Sequence, residues 1–193
     1  MNKIIRKIQY SEKVYRFDVE APLIAKSRKA GNFVIIRVDA NSERMPLTIA
    51  DADIEKGTIT LVVQKVGLSS TKLCNLNEGD EIHDVVGPLG NPTHIENFGT
   101  VLCAGGGVGV APMLPIIKAL KAAGNRVLSV IAGRSKDLVI MEDEVRASSD
   151  ELIIMTDDGS YGEKGVVTVG MEKLIQQEHI DKAFAIGPPI MMK

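Results

Sequence analysis

The sequence predicts a two-part protein: an antiparallel β-barrel followed by a parallel α/β sheet. Three observations predict it. Over residues 3–91 apolar positions recur with period two between clusters of Gly, Pro, Asn and Asp. After residues 91–99 the rhythm changes, and short apolar runs alternate with segments of helical period. Between them, residues 100–121 (TVLCAGGGVGVAPMLPIIKALK) read as a buried strand, a glycine turn and a helix.

In the first part Tyr15, Phe17 and Val19 alternate with Arg16, Asp18 and Glu20, residues 33–38 form a second apolar run and residues 58–66 a third. No segment there has a long helical period, and strands so spaced suggest a closed barrel, which also removes exposed sheet edges. In the second part the strand 101–104 leads to a helix ending near Gly124, with Met113, Ile116, Ile117 and Leu120 on one face. The strand 126–132, a helix marked by Leu138, Met141 and Val145, the strand 151–156, a glycine-bearing loop, a helix over 168–178 and the strand 183–186 follow. Such alternation means a parallel sheet with helices on both faces. The domains are expected over residues 1–95 and 96–193, with the boundary within residues 92–98. The closing residues GPPIMMK look like a turn and the start of another helix, so the second domain is expected to be incomplete at its C-terminus.

A chain of 193 residues, 45% hydrophobic with a net charge of −2, can bury real cores but carries no basic field for nucleic acid. The apolar run 100–120 is broken by four glycines and two prolines, so no membrane span is expected, and the first residues contain no signal-peptide pattern. Two cysteines, Cys74 and Cys103, make neither a disulfide framework nor a C-x-x-C pair, which fits a reducing cytoplasm. His83, His94 and His179 lack the spacing of a metal site, and none is expected.

Gly105, Gly106, Gly107 and Gly109 let a backbone approach a ligand, and the helix start beyond them suits a phosphate. The turn departs from the general dinucleotide fingerprint, because counting from Gly105 reaches Val110 and from Gly107 reaches Pro112. A tight strand-to-helix connection without a ligand is the alternative. Three further loops favour a nucleotide: Gly133, Arg134 and Ser135 after the second strand, Asp157 to Tyr161 after the third, and Gly187 and Pro188 after the fourth. Ligands of open α/β sheets bind where strands end. In the barrel, ERMPLTIAD at residues 43–51 combines a cation, a proline and a hydroxyl, or is simply a strand with an edge proline. GLSSTKL at residues 67–73 reads as a small-residue turn opening a short helix, again suited to an anion, and Gly87-Pro88-Leu89-Gly90 as a turn.

RMPLTIAD, GPLGNP, CAGGGVGVAP, AGRSKD and IGPPIMMK, in this order, resemble the ferredoxin-NADP reductase-like flavoproteins. Within them the chain is most similar to electron-transfer subunits of class B dihydroorotate dehydrogenase and to the small subunit of NADH-dependent ferredoxin:NADP oxidoreductase, also known as sulfide dehydrogenase. The resemblance implies an FAD-binding barrel and an NAD(P)-binding α/β domain. It implies that Arg44 pairs with the FAD pyrophosphate, that Pro46 and Leu47 lie along the isoalloxazine, and that Thr48 hydrogen-bonds near flavin N5 as the catalytic group. Val63, Gln64, Lys65, Ser70 and Thr71 would hold the ribityl and phosphate region. Gly105, Gly106, Gly107 and Gly109 would admit the nicotinamide and its pyrophosphate, with Gly133, Arg134, Ser135, Asp157 and Ser160 flanking the adenosine and Gly187, Pro188 and Met191 closing the nicotinamide end.

The chain departs from the family pattern at three places. Leu47 stands where an aromatic residue is frequent and Arg44 lies one position further back, Ile186 replaces a frequent cysteine, and the four cysteines of a C-terminal [2Fe-2S] site are expected only in a longer chain. The expected function is that of an FAD-dependent oxidoreductase subunit passing electrons from NAD(P)H, NAD(H) by resemblance, to a larger subunit or to ferredoxin. The larger subunit would be a glutamate-synthase-like flavoprotein or dihydroorotate dehydrogenase. A cofactor of this kind carries the chemistry, so no protein acid or base is expected, and Glu142 is assigned to a polar helix face beside Asp143 and Glu144. The alternatives are electron transfer within pyrimidine biosynthesis, a non-catalytic nucleotide-binding or interaction module, and a regulatory sensor on the same fold.

Overall fold

The computed structural model describes residues 2–192. The chain divides into two compact units between Thr93 and His94. The first contains β1 (Asn2–Gln9), β2 (Val14–Glu20), α1 (Pro22–Ser27), β3 (Phe33–Arg37), β4 (Met45–Asp53), β5 (Thr58–Gln64), α2 (Leu68–Asn75), β6 (Glu81–Ile82) and β7 (Asp84–Leu89). Its strands pair antiparallel in the order β6-β1-β2-β5-β4-β3-β7. β6 and β7 are therefore the two ends of the sheet, yet His83 alone separates them in sequence. Its backbone N–H donates to Val38 O at 3.3 Å. The chain thus ties one end of the sheet to the other and makes the nearly closed barrel that the period-two pattern predicts.

Ile4, Phe17, Val34, Ile36, Ile49, Ile59, Leu61 and Leu73 fill the barrel. Two local features differ from the sequence expectations. α1 has only six residues, too few to register as a helical period, and opens on Pro22 where the missing N–H costs little. Gly87, Pro88 and Leu89, expected as a turn, belong to β7, where Leu89 lies opposite Phe33 and the register shifts between Phe33 and Ile35. The left-handed φ of +81° at Gly90 then ends the strand. Lys7 joins β1 to the far end of α2: its Nζ donates to Cys74 O at 2.8 Å and Leu76 O at 2.6 Å, placing a cation on the negative end of the helix.

The second unit runs β8 (Thr100–Gly106), a 3-10 turn (Gly107–Gly109), α3 (Val110–Ala122), β9 (Arg126–Gly133), a 3-10 turn (Lys136–Leu138), α4 (Glu142–Ser148), β10 (Glu151–Thr156), β11 (Glu163–Lys164), α5 (Val167–Gln177) and β12 (Lys182–Ile186). Its five strands are all parallel, in the order β11-β10-β9-β8-β12. α5 sets Val167 and Leu174 on the face formed by Leu102, Ala104, Leu128, Val130 and Met155. The intervening positions Val101, Cys103, Val127, Ser129 and Ile131 are buried as well. The Ser129 hydroxyl meets that of Ser149, just beyond α4, at 2.7 Å, so α4 belongs to the opposite face.

The helix expected around Leu138, Met141 and Val145 is shorter than its pattern. Leu138 ends a 3-10 turn and Met141 is left-handed (φ 55°), so α4 starts only at Glu142. At the amino edge of the sheet, buried Asn125 accepts from Phe98 N (2.7 Å) and donates to Glu96 O and Leu120 O (both 2.8 Å). Asp181 accepts from Thr100 N and Asp150 from Val127 N (both 2.8 Å). Side chains thus satisfy backbone donors at the amino edge. No helix among the described residues is long and apolar enough to cross a membrane. Replacing Lys7 with Met removes the two bonds to the end of α2, and thermal unfolding should show a loss of about 1 kcal/mol, or roughly 4 °C in the midpoint.

Candidate functional site

In the barrel the residues of interest lie on β4 and around the start of α2. β4 changes partner along its length: Met45 to Thr48 pair with β3, whereas pairing with β5 begins at Ile49. Pro46, opposite Ile35, therefore sits on a locally unpaired edge, which is where a strand tolerates a missing N–H. Arg44 and Pro46 are exposed, and Leu47 and Thr48 are half-buried. The loop before β4 is fastened to α2 by Lys72, whose Nζ donates to Asp39 Oδ2 at 3.0 Å and Ser42 Oγ at 3.2 Å. These bonds hold the Asp39 carboxyl down at about 2. Nothing in the local sequence signalled this Lys72–Asp39 tie, because it joins a loop to a helix 33 positions away.

Around α2 the predicted residues divide by orientation. Val63 points into the core and can contribute backbone alone, whereas Gln64 is exposed and Lys65 half-buried. Ser70 is buried, and its hydroxyl is engaged inside its own loop: it accepts from Val66 N (3.0 Å) and Gly67 N (2.9 Å) and donates to Gly67 O (3.0 Å). Ser70 therefore shapes the helix start, and Thr71 and Lys65 beside it are half-buried. Both line a cavity of about 580 Å³.

In the α/β unit the parallel register brings four loop ends to one edge. Gly105 lies beside Ile131 and Ile186, Gly106 beside Ala132, and Gly133 beside Thr156. β8 is the point where strand order reverses, with β9 on one side and β12 on the other, and such switch points are where open α/β sheets bind ligands. The glycines there do different jobs. A Cβ on Gly109 would run into Ile186 O, and one on Gly106 or Gly187 would run into Met191 Sδ. Only Gly107 is left-handed (φ 54°) with open space around it. The room expected for nicotinamide above Gly106 thus holds the Met191 side chain, and Gly107 is the position open to a ligand. Pro112 falls in the first turn of α3, as its sequence position predicts, and no side chain caps that helix start.

The loops after β9 and β10 are locked to each other. Asp157 N and Asp158 N donate to Gly133 O (3.1 Å) and Arg134 O (3.2 Å), and Lys136 N donates to Ser160 Oγ (2.9 Å). Gly133, Arg134, Ser135, Asp157 and Ser160 are thereby brought together. Ser135 donates its hydroxyl to Asp137, and Arg134 and Asp157 are exposed. Glu142 accepts from Arg146 (2.8 Å) and from Tyr161 Oη (3.0 and 3.2 Å), and its hydrogen bond and charge raise the Tyr161 pKa. Lys136 Nζ lies 5.2 Å from the Tyr161 ring centroid. The left-handed Met141 is what turns Glu142 toward this loop, and a left-handed methionine has no local sequence signature.

Known proteins share this arrangement. No family model matches the chain. A Thermotoga maritima homolog of the dihydroorotate dehydrogenase B (NAD(+)) electron transfer subunit is 49% identical over the whole chain, which covers 68% of the relative. The Fusobacterium nucleatum electron transfer subunit of dihydroorotate dehydrogenase B is 31% identical, with 96% of this chain and 74% of that protein covered. The chain belongs to the family of dihydroorotate dehydrogenase B electron-transfer subunits. A solved structure of an NADH-dependent reduced ferredoxin-NADP oxidoreductase contains a chain of 45% identity and TM-score 0.94, covering all of this chain and 69% of that one. An Amycolatopsis cytochrome P450 reductase, at 20% identity and TM-score 0.78 over 98% of this chain and 62% of that one, shares the ferredoxin reductase-like fold.

As a member of this family the chain is an oxidoreductase electron-transfer subunit. No group of three or more His, Cys, Asp or Glu among the described residues could hold a metal. Cys74 and Cys103 are both buried, and burial pushes the Cys103 thiol up to about 12. A four-thiolate [2Fe-2S] site does not fit these residues. Two outcomes follow. A thiol reagent at pH 8 should label neither cysteine in the folded subunit and both after unfolding. Thermal unfolding should rank Gly109→Ala, which meets the backbone of β12, as more damaging than Gly107→Ala, whose cost is the left-handed strain of about 1–2 kcal/mol.

Proposed function

We propose that this electron-transfer subunit holds FAD on its barrel and NADH at the carboxyl edge of its parallel sheet, and passes electrons to a larger redox subunit or to ferredoxin. The observation that carries the reading is the gathering of four loop ends around the glycine turn at the switch point, in a chain whose barrel offers a second anion-suited helix start. The names of the relatives support the same reading.

The residues present fit a flavin. Thr71 and Lys65 at the start of α2 offer a hydroxyl and a cation to a pyrophosphate. Arg44 is exposed, has no ion pair among the described residues, and follows a loop that the Asp39–Lys72 pair fixes against α2. The stretch from Pro46 to Thr48 pairs with β3 but has no β5 partner, so the peptide groups on its β5 side and the Thr48 hydroxyl can orient a planar heterocycle. When bound, a flavin would supply hydride acceptance at N5 and release of electrons one at a time. Positioning is then the protein's task, and no side chain has to move a proton in that step.

For the nucleotide, the bare backbone of Gly107 and the uncapped start of α3 suit a pyrophosphate. Asp137 supports NADH over NADPH, because a carboxylate beside Ser135 can accept from a ribose 2′-hydroxyl and repels a 2′-phosphate. A second reading, a nucleotide-binding module without turnover, draws on Met191 lying over Gly106.

Purified protein supplied with FAD should become yellow, and NADH should bleach the bound flavin at least about tenfold faster than NADPH, a difference of about 1.4 kcal/mol. Comparable rates would remove the NADH preference. Retained colour without bleaching by either nucleotide would favour the binding module, and failure to take up FAD would end the flavin reading. In the same assay Thr48→Val should slow bleaching by NADH while FAD stays bound.

A further inference from the structure

Asp157, Asp158, Gly159 and Ser160, between β10 and β11, are all exposed, and none carries an apolar side chain. Burial therefore does not fix the shape of this loop, and hydrogen bonds must. At its base the N–H groups of the two aspartates bond the loop after β9. Its far end is Tyr161, whose main chain closes back on the buried Thr156: the Thr156 hydroxyl donates to Tyr161 O (2.6 Å) and accepts from Tyr161 N (3.2 Å). Beyond it the chain presses on β10, since a Cβ on Gly162 would run into Ile154 O. Tyr161 is thus the corner of the loop. Its side chain reaches across to α4, where both oxygens of the Glu142 carboxylate accept from Oη and Arg146, one turn further on, holds that carboxylate in place. The helix is a firm anchor, because Val145 in the same turn is fully buried.

One half-buried hydrogen bond adds little to stability, yet the chain accepts a left-handed Met141 to bring Glu142 to this position. Strain of this kind persists where geometry serves a site. We propose that Glu142 is a positioning residue for nucleotide binding: through the Tyr161 hydroxyl it holds residues 157–160 in the shape that receives the adenosine half of NADH. The proposal rests on the nucleotide reading of this edge. An exposed carboxylate such as that of Asp157 accepts from a ribose hydroxyl only at the right distance, so a loop that samples several shapes binds in proportion to the fraction in the competent one. Glu142 acts through Tyr161 and has no part in electron transfer, so its loss lowers affinity without slowing the redox step.

The test is to titrate the wild type, Glu142→Ala, Glu142→Gln and Tyr161→Phe with NADH and with ADP by calorimetry, while circular dichroism checks that each variant is folded. Glu142→Ala and Tyr161→Phe should each weaken both ligands by about fivefold, and the double variant should be no worse than either alone, because both changes remove the same bond. Glu142→Gln, whose amide oxygen still accepts from Tyr161, should stay within about twofold of the wild type. With FAD supplied, the limiting rate of bleaching at saturating NADH should be the same for Glu142→Ala as for the wild type. Unchanged affinity in Glu142→Ala, equal losses in Glu142→Gln and Glu142→Ala, an effect on NADH that ADP does not share, or a limiting rate that falls with affinity would each overturn the proposal and leave the nucleotide reading standing. Binding of neither ligand by the wild type overturns both.

Discussion

The close approach of β12 to the glycine turn is the constraint on which the carboxyl edge of the parallel sheet depends. Gly109 must lack a Cβ because Ile186 O occupies that space, where β12, paired along β8, comes to its end. The glycines of one short motif therefore serve distinct ends. Gly105 and Gly109 admit the protein's own backbone, Gly106 admits Met191, and Gly107 alone combines a left-handed conformation with open space. A glycine-rich turn read from sequence cannot distinguish these uses, because each is set by a neighbour distant in the chain.

The same division explains which features the sequence makes legible. The strand 151–156 coincides with its pattern, because a run of β-branched and large apolar residues bounded by Asp and Thr has one reading. Strands β8 and β9 and helix α5 differ from expectation by one to a few residues, where ends fray into turns. β6, with two residues, and α1, with six, are below the length at which any period is visible. Met141 breaks the second helix through a backbone angle that a methionine does not advertise.

At the site, residue types were legible and orientations were not. Ser70 and Val63 are where the motif puts them, but one spends its hydroxyl on its own loop and the other faces the core. Glu142 and Lys72 act through partners 19 and 33 positions away, a separation that no local pattern encodes. Both tie a loop to a helix, which is how loops acquire a fixed geometry without becoming strands.

The junction at His83 bears on how the barrel is made during synthesis. Until Glu81–Ile82 and Asp84–Leu89 have left the ribosome, the outer edges of β1 and β3 have nothing to pair with, and both present open rows of peptide groups. The last two strands close both edges at once because they are consecutive in the chain. The nascent barrel is therefore most open to wrong strand pairing during the interval in which residues 65–89 are being made, and a one-residue insertion at His83 would turn every later side chain of β7 to the other face.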